Sequence, residues 1–330
     1  MRNVPSLETV YRDYSSKGVR FYYVYKALAH PEMNGFVQPF SIEERLAHIK
    51  EAKRRLGTEI PWIADSMGND IKHAFGDRNN SEFLFDPEGK LISARDWSDP
   101  EALRWDLEER VGKVDVITRV QDLDLPSGFS QRRAAASSVV PRLETPAGLV
   151  ATKVTPGKEA THPHYAKLRA ELDRSLLSGG KGQLKLGFHL DPIYGVHWNN
   201  LVDPIQWEIR TPDGVLVSPG QGVGPKVAAE SDVDPREFLV EVDRCESNGP
   251  LELIVRYYGC NDEEGWCMPV TQSYTIDFVV DRDAGRPQGA RGARGGFGRR
   301  GGSGNRAGFG SGGTRGPRAL GGPSGGRRRN

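Results

Sequence analysis

Apolar residues recur along this chain with two different periods, and the change of period divides it. Leu7, Val10, Tyr11 and Tyr14 follow helical spacing and stop at Gly18. Val19 to Tyr25 is a β-branched and aromatic run, which predicts a strand buried on both faces. Ser41-Ile42-Glu43-Glu44 has the form of a capping box. It opens a helix with the stripe Ile42, Leu46, Ile49 and Leu56, ending at Gly57. Ile60 to Ala64 reads as a short strand. Glu82 to Phe85, the turn Asp86-Pro87-Glu88-Gly89 and Leu91-Ile92-Ser93 read as a hairpin. Asp99-Pro100 is an N-cap with proline at the first helical position, and Leu103, Leu107 and Val111 form that helix's buried stripe. Residues 1–112 therefore read as an α/β unit in the order α-β-α-β-(short helix)-β-β-α.

After Asp124 the chain turns rich in Pro, Ser, Ala and Gly, so residues 113–160 read as a linker. Tyr165, Leu168, Leu172 and Leu176 predict a lead-in helix. From Leu184 the period becomes two: Leu184, Leu186, Phe188, Leu190; Ile205, Trp207, Ile209; Phe238, Val240, Val242; Leu251, Leu253, Val255, Tyr257; Tyr274, Ile276, Phe278, Val280. With turn signals at Pro212-Asp213-Gly214 and Asn248-Gly249-Pro250, this predicts an antiparallel β-sandwich within residues 161–281.

Charge adds a fourth segment. The net charge of +1 hides an asymmetry, because residues 282–330 hold 12 Arg and one acid, Asp283, for +11, leaving 1 − 11 = −10 on residues 1–281. The same segment holds 18 Gly and only Phe297, Phe309 and Leu320 as large apolar residues, so it is expected to be disordered. Interleaved Arg, Gly and Phe also suits weak contact with RNA or another polyanion. No apolar run reaches the ~18 residues needed to cross a bilayer. Three cysteines exclude a disulfide-dense scaffold and a four-thiolate zinc site. His162-Pro163-His164 has no thiol or carboxylate cluster beside it and reads as a turn; no metal or cofactor is expected.

The first segment resembles the thioredoxin-like superfamily, and within it the iodothyronine deiodinase family. The resemblance lies in Phe21-Tyr22-Tyr23-Val24-Tyr25 with Ala29-His30-Pro31, Glu44-Arg45-Leu46, Pro61 to Met67, and Phe83 to Lys90. The resemblance implies an α/β thioredoxin-like domain whose nucleophile would fall before Met1. No cysteine occurs in residues 1–244, so the thiolate or selenolate chemistry of that family is not expected of this chain. Phe36, Pro39 and Asn79-Asn80 stand where the family has Trp, His and Pro. His30 is what remains of the polar set, and it reads as a backbone-bonded residue at a strand end. Two accounts fit the missing start: a start codon upstream, or a domain that has lost its chemistry.

The most specific stretch is Tyr257-Tyr258-Gly259-Cys260-Asn261-Asp262-Glu263-Glu264-Gly265-Trp266-Cys267-Met268-Pro269. Its cysteines sit at the ends of an expected hairpin connection, where cross-strand positions can bring Cα atoms within disulfide range. With Tyr194 to Asn200, Trp207 and Pro212 to Val217, it resembles the N-terminal immunoglobulin-like domain of the thiol:disulfide interchange protein DsbD. The resemblance implies that Cys260 and Cys267 exchange electrons with a thioredoxin-fold protein or domain, shielded by Tyr258 and Trp266. Such a pair would suit an oxidising, extracytoplasmic compartment, although the first residues lack a signal-peptide pattern and, as they stand, point to the cytoplasm. The acidic run Asp262-Glu263-Glu264 works against thiolate formation. The other readings are a structural staple, a non-catalytic module whose tail binds a polyanion, and reductive dehalogenation if an upstream extension supplied the nucleophile. Cys245 reads as a free thiol, and His189 and His197 as core or backbone-bonded histidines.

Overall fold

The computed structural model describes residues 3–32, 36–126, 139–158, 160, 162–244 and 249–286. The N-terminal part runs α1 (Val4–Ser15), β1 (Tyr23–Tyr25), α2 (Ile42–Leu56), β2 (Trp62–Ala64), α3 (Asp70–Ala74), β3 (Glu82–Phe85), β4 (Leu91–Arg95) and α4 (Pro100–Val111). Caps fix the helix starts: Ser41 accepts the Glu44 N–H, although the Glu44 carboxylate takes the Phe40 N–H rather than closing a box on Ser41, and Asp99 accepts the N–H groups of Glu101 and Ala102. α1 and α4 bury Val10, Tyr14, Leu103 and Leu107 against each other, with Phe21 and Leu84 packed alongside. Val111, expected in that stripe, is exposed.

Three expectations for this part are corrected. β1 is three residues long and pairs only with β2, in parallel, so Val24 and Tyr22 remain exposed rather than buried on both faces. β3 and β4 form a separate two-stranded antiparallel sheet, so no continuous sheet joins the four strands. The buried face of α2 is mostly polar: Glu44, Arg45 and His48 are buried beside the expected Ile49, while Leu46 is exposed. Arg45 explains this, because its guanidinium donates to the carbonyls of Asp65 and Ser66 at 2.9 and 2.6 Å.

The remaining strands are β5 (Val150–Pro156), β6 (Ala166–Leu172), β7 (Gly180–Leu190), β8 (His197–Asn199), β9 (Gln206–Arg210), β10 (Val215–Ser218), β11 (Gln221–Val223), β12 (Ser231–Asp232), β13 (Arg236–Arg244), β14 (Leu251–Asn261) and β15 (Trp266–Val280). They make one large antiparallel sheet along the path β10-β13-β7-β6-β5-β15-β14; β8 and β9 both pair with β14, and carry β12 and β11. The period-two apolar residues line a single core, including Leu184, Leu186, Phe188, Val240, Leu251, Leu253, Tyr274 and Ile276. Trp207 of β9 meets Phe238 of β13 at 5.4 Å, although their strands lie far apart along the path. The sheet therefore folds over on itself, which excludes water from both inner faces.

β5 lies inside the segment read as linker and fills the place between β6 and β15. The predicted lead-in helix is strand β6, followed by a short 3-10 turn at Arg174–Ser178 that buries Leu176. Leu168 and Leu172 fit both periods; Ala166 and Ala170 complete the strand pattern. Val280 is exposed. Residues 282–286, assigned to the tail, are bonded to the N-terminal part: Asp283 bonds Lys72 and accepts from Asn69, and Arg286 N–H donates to Ala29 O at 3.0 Å. The rest of the tail, residues 287–330, and Cys245 lie outside the described residues. No helix among the described residues is long and apolar enough to cross a membrane.

The charged positions of β6 and β7 are not a wet face. Lys167, Glu171, Lys185 and His189 are buried. Glu44 of α2 binds Lys167 and accepts from Tyr194 Oη at 2.7 Å. Burial pushes the Glu44 carboxyl up, but Lys167 and these bonds outweigh it and hold it below the ordinary range. Beside this pair a cavity of about 60 Å³ is lined by Glu32, Phe40, Thr152, Lys167, Arg169 and His189. Glu32 sits there at φ +63, a left-handed conformation uncommon for a residue with a side chain. Burial pushes its carboxyl up to about 7, against the pull of Arg169 3.9 Å away. Burial holds the His189 imidazole down at about 3, with Arg142 adding to the effect.

Candidate functional site

The hairpin β14–β15 closes through Asp262-Glu263-Glu264-Gly265. Gly265 adopts φ +70, and its N–H donates to Asn261 O at 2.9 Å. A Cβ at that φ would be strained, so glycine suits the return of the chain. Asn261 fixes the loop from inside: Oδ1 accepts Glu264 N–H at 2.9 Å, and Nδ2 donates to Tyr194 O at 2.8 Å. The register then sets Cys260 directly opposite Cys267, with Cα atoms 4.1 Å apart and a disulfide between them. That spacing belongs to the closer, non-hydrogen-bonded class of antiparallel pair, where side chains approach most nearly.

The two cysteines differ in exposure. Cys260 is buried, at 8% exposure, between β15 and β8. Cys267 is exposed. Along β14 the inward positions are Val255 and Tyr257, so Cys260 and Tyr258 share the outer face. Tyr258 is exposed there, two residues from Cys260. Trp266 does not join it as a shield. Adjacent residues of a strand point to opposite faces, and Trp266 turns inward to pack at 5.4 Å against the tilted ring of Tyr165, with Nε1 donating to Glu264 Oε2 at 2.6 Å.

The strand on the other side of Cys260 supplies two residues that the sequence reading did not select. His197 of β8 pairs in register with Cys260, and its Nε2 lies 3.1 Å from Asp262 Oδ1. His197 keeps the expected backbone contact, Nδ1 lying 3.2 Å from Trp198 O, and the long-range pairing of β8 with β14 adds a cysteine and a carboxylate to its surroundings. Asn199 lies two positions along on the same face, and its Nδ2 donates to Cys267 Sγ at 3.2 Å. Its Oδ1 accepts Leu201 N–H at 3.0 Å, which fixes which end of the amide faces the sulfur. The His-Trp-Asn alternation was the available signal; without the register it looked like any half-buried strand.

His30 lies elsewhere, exposed in the turn before Pro31. His164 is buried, with rings of Phe40 and Tyr274 at 5.9 and 5.4 Å, and burial holds its pKa below the ordinary value. Among the described residues, His73, Asp77 and Asp283 are close enough together to hold a metal ion. Lys72 stands among them, bonded to Asp283 and 3.3 Å from Asp77, so an ammonium already serves these carboxylates.

No protein-family model matches the chain, and no curated protein sequence matches it. The hairpin's geometry therefore carries the functional argument. A cross-strand disulfide with one exposed cysteine, one buried cysteine and an N–H donor on the sulfur of the exposed one can accept attack by an external thiolate at Cys267.

Proposed function

We propose that the protein is a thiol–disulfide exchange partner acting through Cys260 and Cys267. One observation carries the reading: the disulfide lies on the outer face of a fixed hairpin, with Cys267 open to a partner and Cys260 covered. A structural staple has no need of that asymmetry. A partner thiolate attacks Sγ of Cys267, a new S–S bond forms, and the Cys260–Cys267 bond breaks with its electron pair on Cys260. The partner's second thiolate then attacks its own mixed-disulfide sulfur and releases Cys267 as a thiolate. The protons given up by the partner dithiol balance those taken by Cys260 and Cys267, so two electrons and two protons pass in all.

The partner is a thioredoxin-fold dithiol. It brings its own cysteines, since residues 1–244 contain none. Within the same proposal, the large sheet is a DsbD-N-terminal-like immunoglobulin sandwich, and α1 to α4 with β1 to β4 are a thioredoxin-like arrangement without a nucleophile. The parallel β1–β2 pair and the β3–β4 hairpin support the latter reading.

The test is a redox titration of the pair against glutathione or dithiothreitol, with trapping of free thiols. A potential between about −120 and −270 mV is expected of an exchange protein. A potential well below about −300 mV would make the bridge a staple and end the exchange reading.

A further inference from the structure

We infer that Asn199 is a catalytic residue of this site: its side-chain N–H holds the Cys267 sulfur as the attacking thiolate once the pair is reduced. The inference rests on the exchange reading above and assigns a residue to that site. Reduced Cys267 faces an unfavourable setting, because Asp262, Glu263 and Glu264 form the loop between the two cysteines, and all three are exposed. Nearby negative charge raises a thiol's pKa and thins the thiolate population at neutral pH. A neighbouring group must offset this if Cys267 is to attack.

β8 supplies the offset in two ways. His197 engages the Asp262 carboxylate at 3.1 Å and turns it toward β8. Its Nδ1 lies 3.2 Å from Trp198 O. Asn199 acts on the sulfur itself. Its Nδ2 is 3.2 Å from Sγ of Cys267, and Leu201 N–H occupies its Oδ1, so the donor end cannot turn away without losing that bond. A hydrogen bond to the charged form of a group favours that form. A pre-aimed donor also needs no rearrangement as charge develops on the sulfur.

The reaction served is the return half of the cycle. The Cys267 thiolate attacks a partner disulfide; a Cys267–partner bond forms and the partner's S–S bond breaks, its electron pair leaving on the second partner sulfur, which takes a proton from solvent. Cys260 then loses its proton and attacks Sγ of Cys267, releasing the first partner sulfur. The chain's dithiol is oxidised and the partner's disulfide is reduced.

The test uses the full chain with Cys260→Ser and Cys245→Ser, which leaves Cys267 as the only thiol. Its alkylation by iodoacetamide is followed across pH with Asn199 intact, with Asn199→Asp and with Asn199→Leu. Asn199→Asp keeps the acceptor for Leu201 N–H, and so the local fold, while removing the donor; Asn199→Leu removes the donor without adding charge. Both are expected to move the thiol's titration upward, with roughly tenfold less thiolate at neutral pH. An unchanged profile in both, or a shift in Asn199→Asp alone, would overturn the assignment, the latter showing only the effect of added charge. Exchange of the unmodified disulfide with reduced thioredoxin is measured in parallel. No exchange there refutes the parent reading, whereas exchange together with an unshifted titration refutes Asn199 alone.

Discussion

Glu32 gives the sharpest quantitative expectation. Its carboxyl is buried in the cavity beside β6 and β7, and burial pushes it from an ordinary 4.5 to about 7. The folded chain therefore holds that proton more tightly than the unfolded chain. The contribution is fully present below pH 4.5 and is lost as pH rises through about 7. The gap is 7 − 4.5, and at ~1.4 kcal/mol per pH unit it is worth about 3 kcal/mol. Glutamine keeps the shape and never ionises. Urea unfolding from about pH 4 to pH 8 should find Glu32→Gln level with the unmodified protein at the acid end and about 3 kcal/mol more stable at the alkaline end. His189 works in the opposite sense: held down at about 3, it contributes stability that is present above its ordinary 6.5 and lost as pH falls. The two slopes overlap in a single stability curve, so the difference between variant and parent is the quantity to read. A difference that stays constant across the range, or grows toward acid, would refute the reasoning.

Three further outcomes are expected. Reducing the Cys260–Cys267 bridge frees a short loop whose closure is worth about 2 to 3 kcal/mol by the chain-entropy relation, to be read as the drop in urea stability on adding dithiothreitol. Lys167→Met leaves Glu44 buried without its cation and should cost about 3 to 5 kcal/mol; the double variant with Glu44→Gln should recover most of that loss in a double-mutant cycle. Gly265→Ala forces a side chain into φ +70 and should cost about 1 to 2 kcal/mol by thermal or urea unfolding, with the disulfide still forming.

Local signals placed most elements. The Ser41 and Asp99 caps, the Asp86-Pro87-Glu88-Gly89 turn and the period-two runs from Leu184 onward depend only on near neighbours, and each is found where the pattern put it. The likeness of the two cysteines to hairpin ends was legible for the same reason: a hairpin is a local structure, and its register follows from its loop.

What the sequence left undecided depends on pairing across long separations. Leu168 and Leu172 suit a helix or a strand, and only β5 and β7 on either side decide for a strand. Leu46 and Ile42 looked like the buried stripe of α2; the chain instead buries Glu44, Arg45 and His48, because carbonyls of the β2–α3 turn and Lys167 of the sheet are there to receive them. Asp283 looked like a stray acid in a basic tail until Lys72 and Asn69 met it. Composition and spacing thus placed the period-two strands from Leu184 onward, the capped helix starts and the cysteine pair. Tertiary structure alone decided which cysteine is exposed and that β8 lays His197 and Asn199 beside it, because a side chain's neighbours across a sheet are set by register and folding-over, which no window of sequence contains.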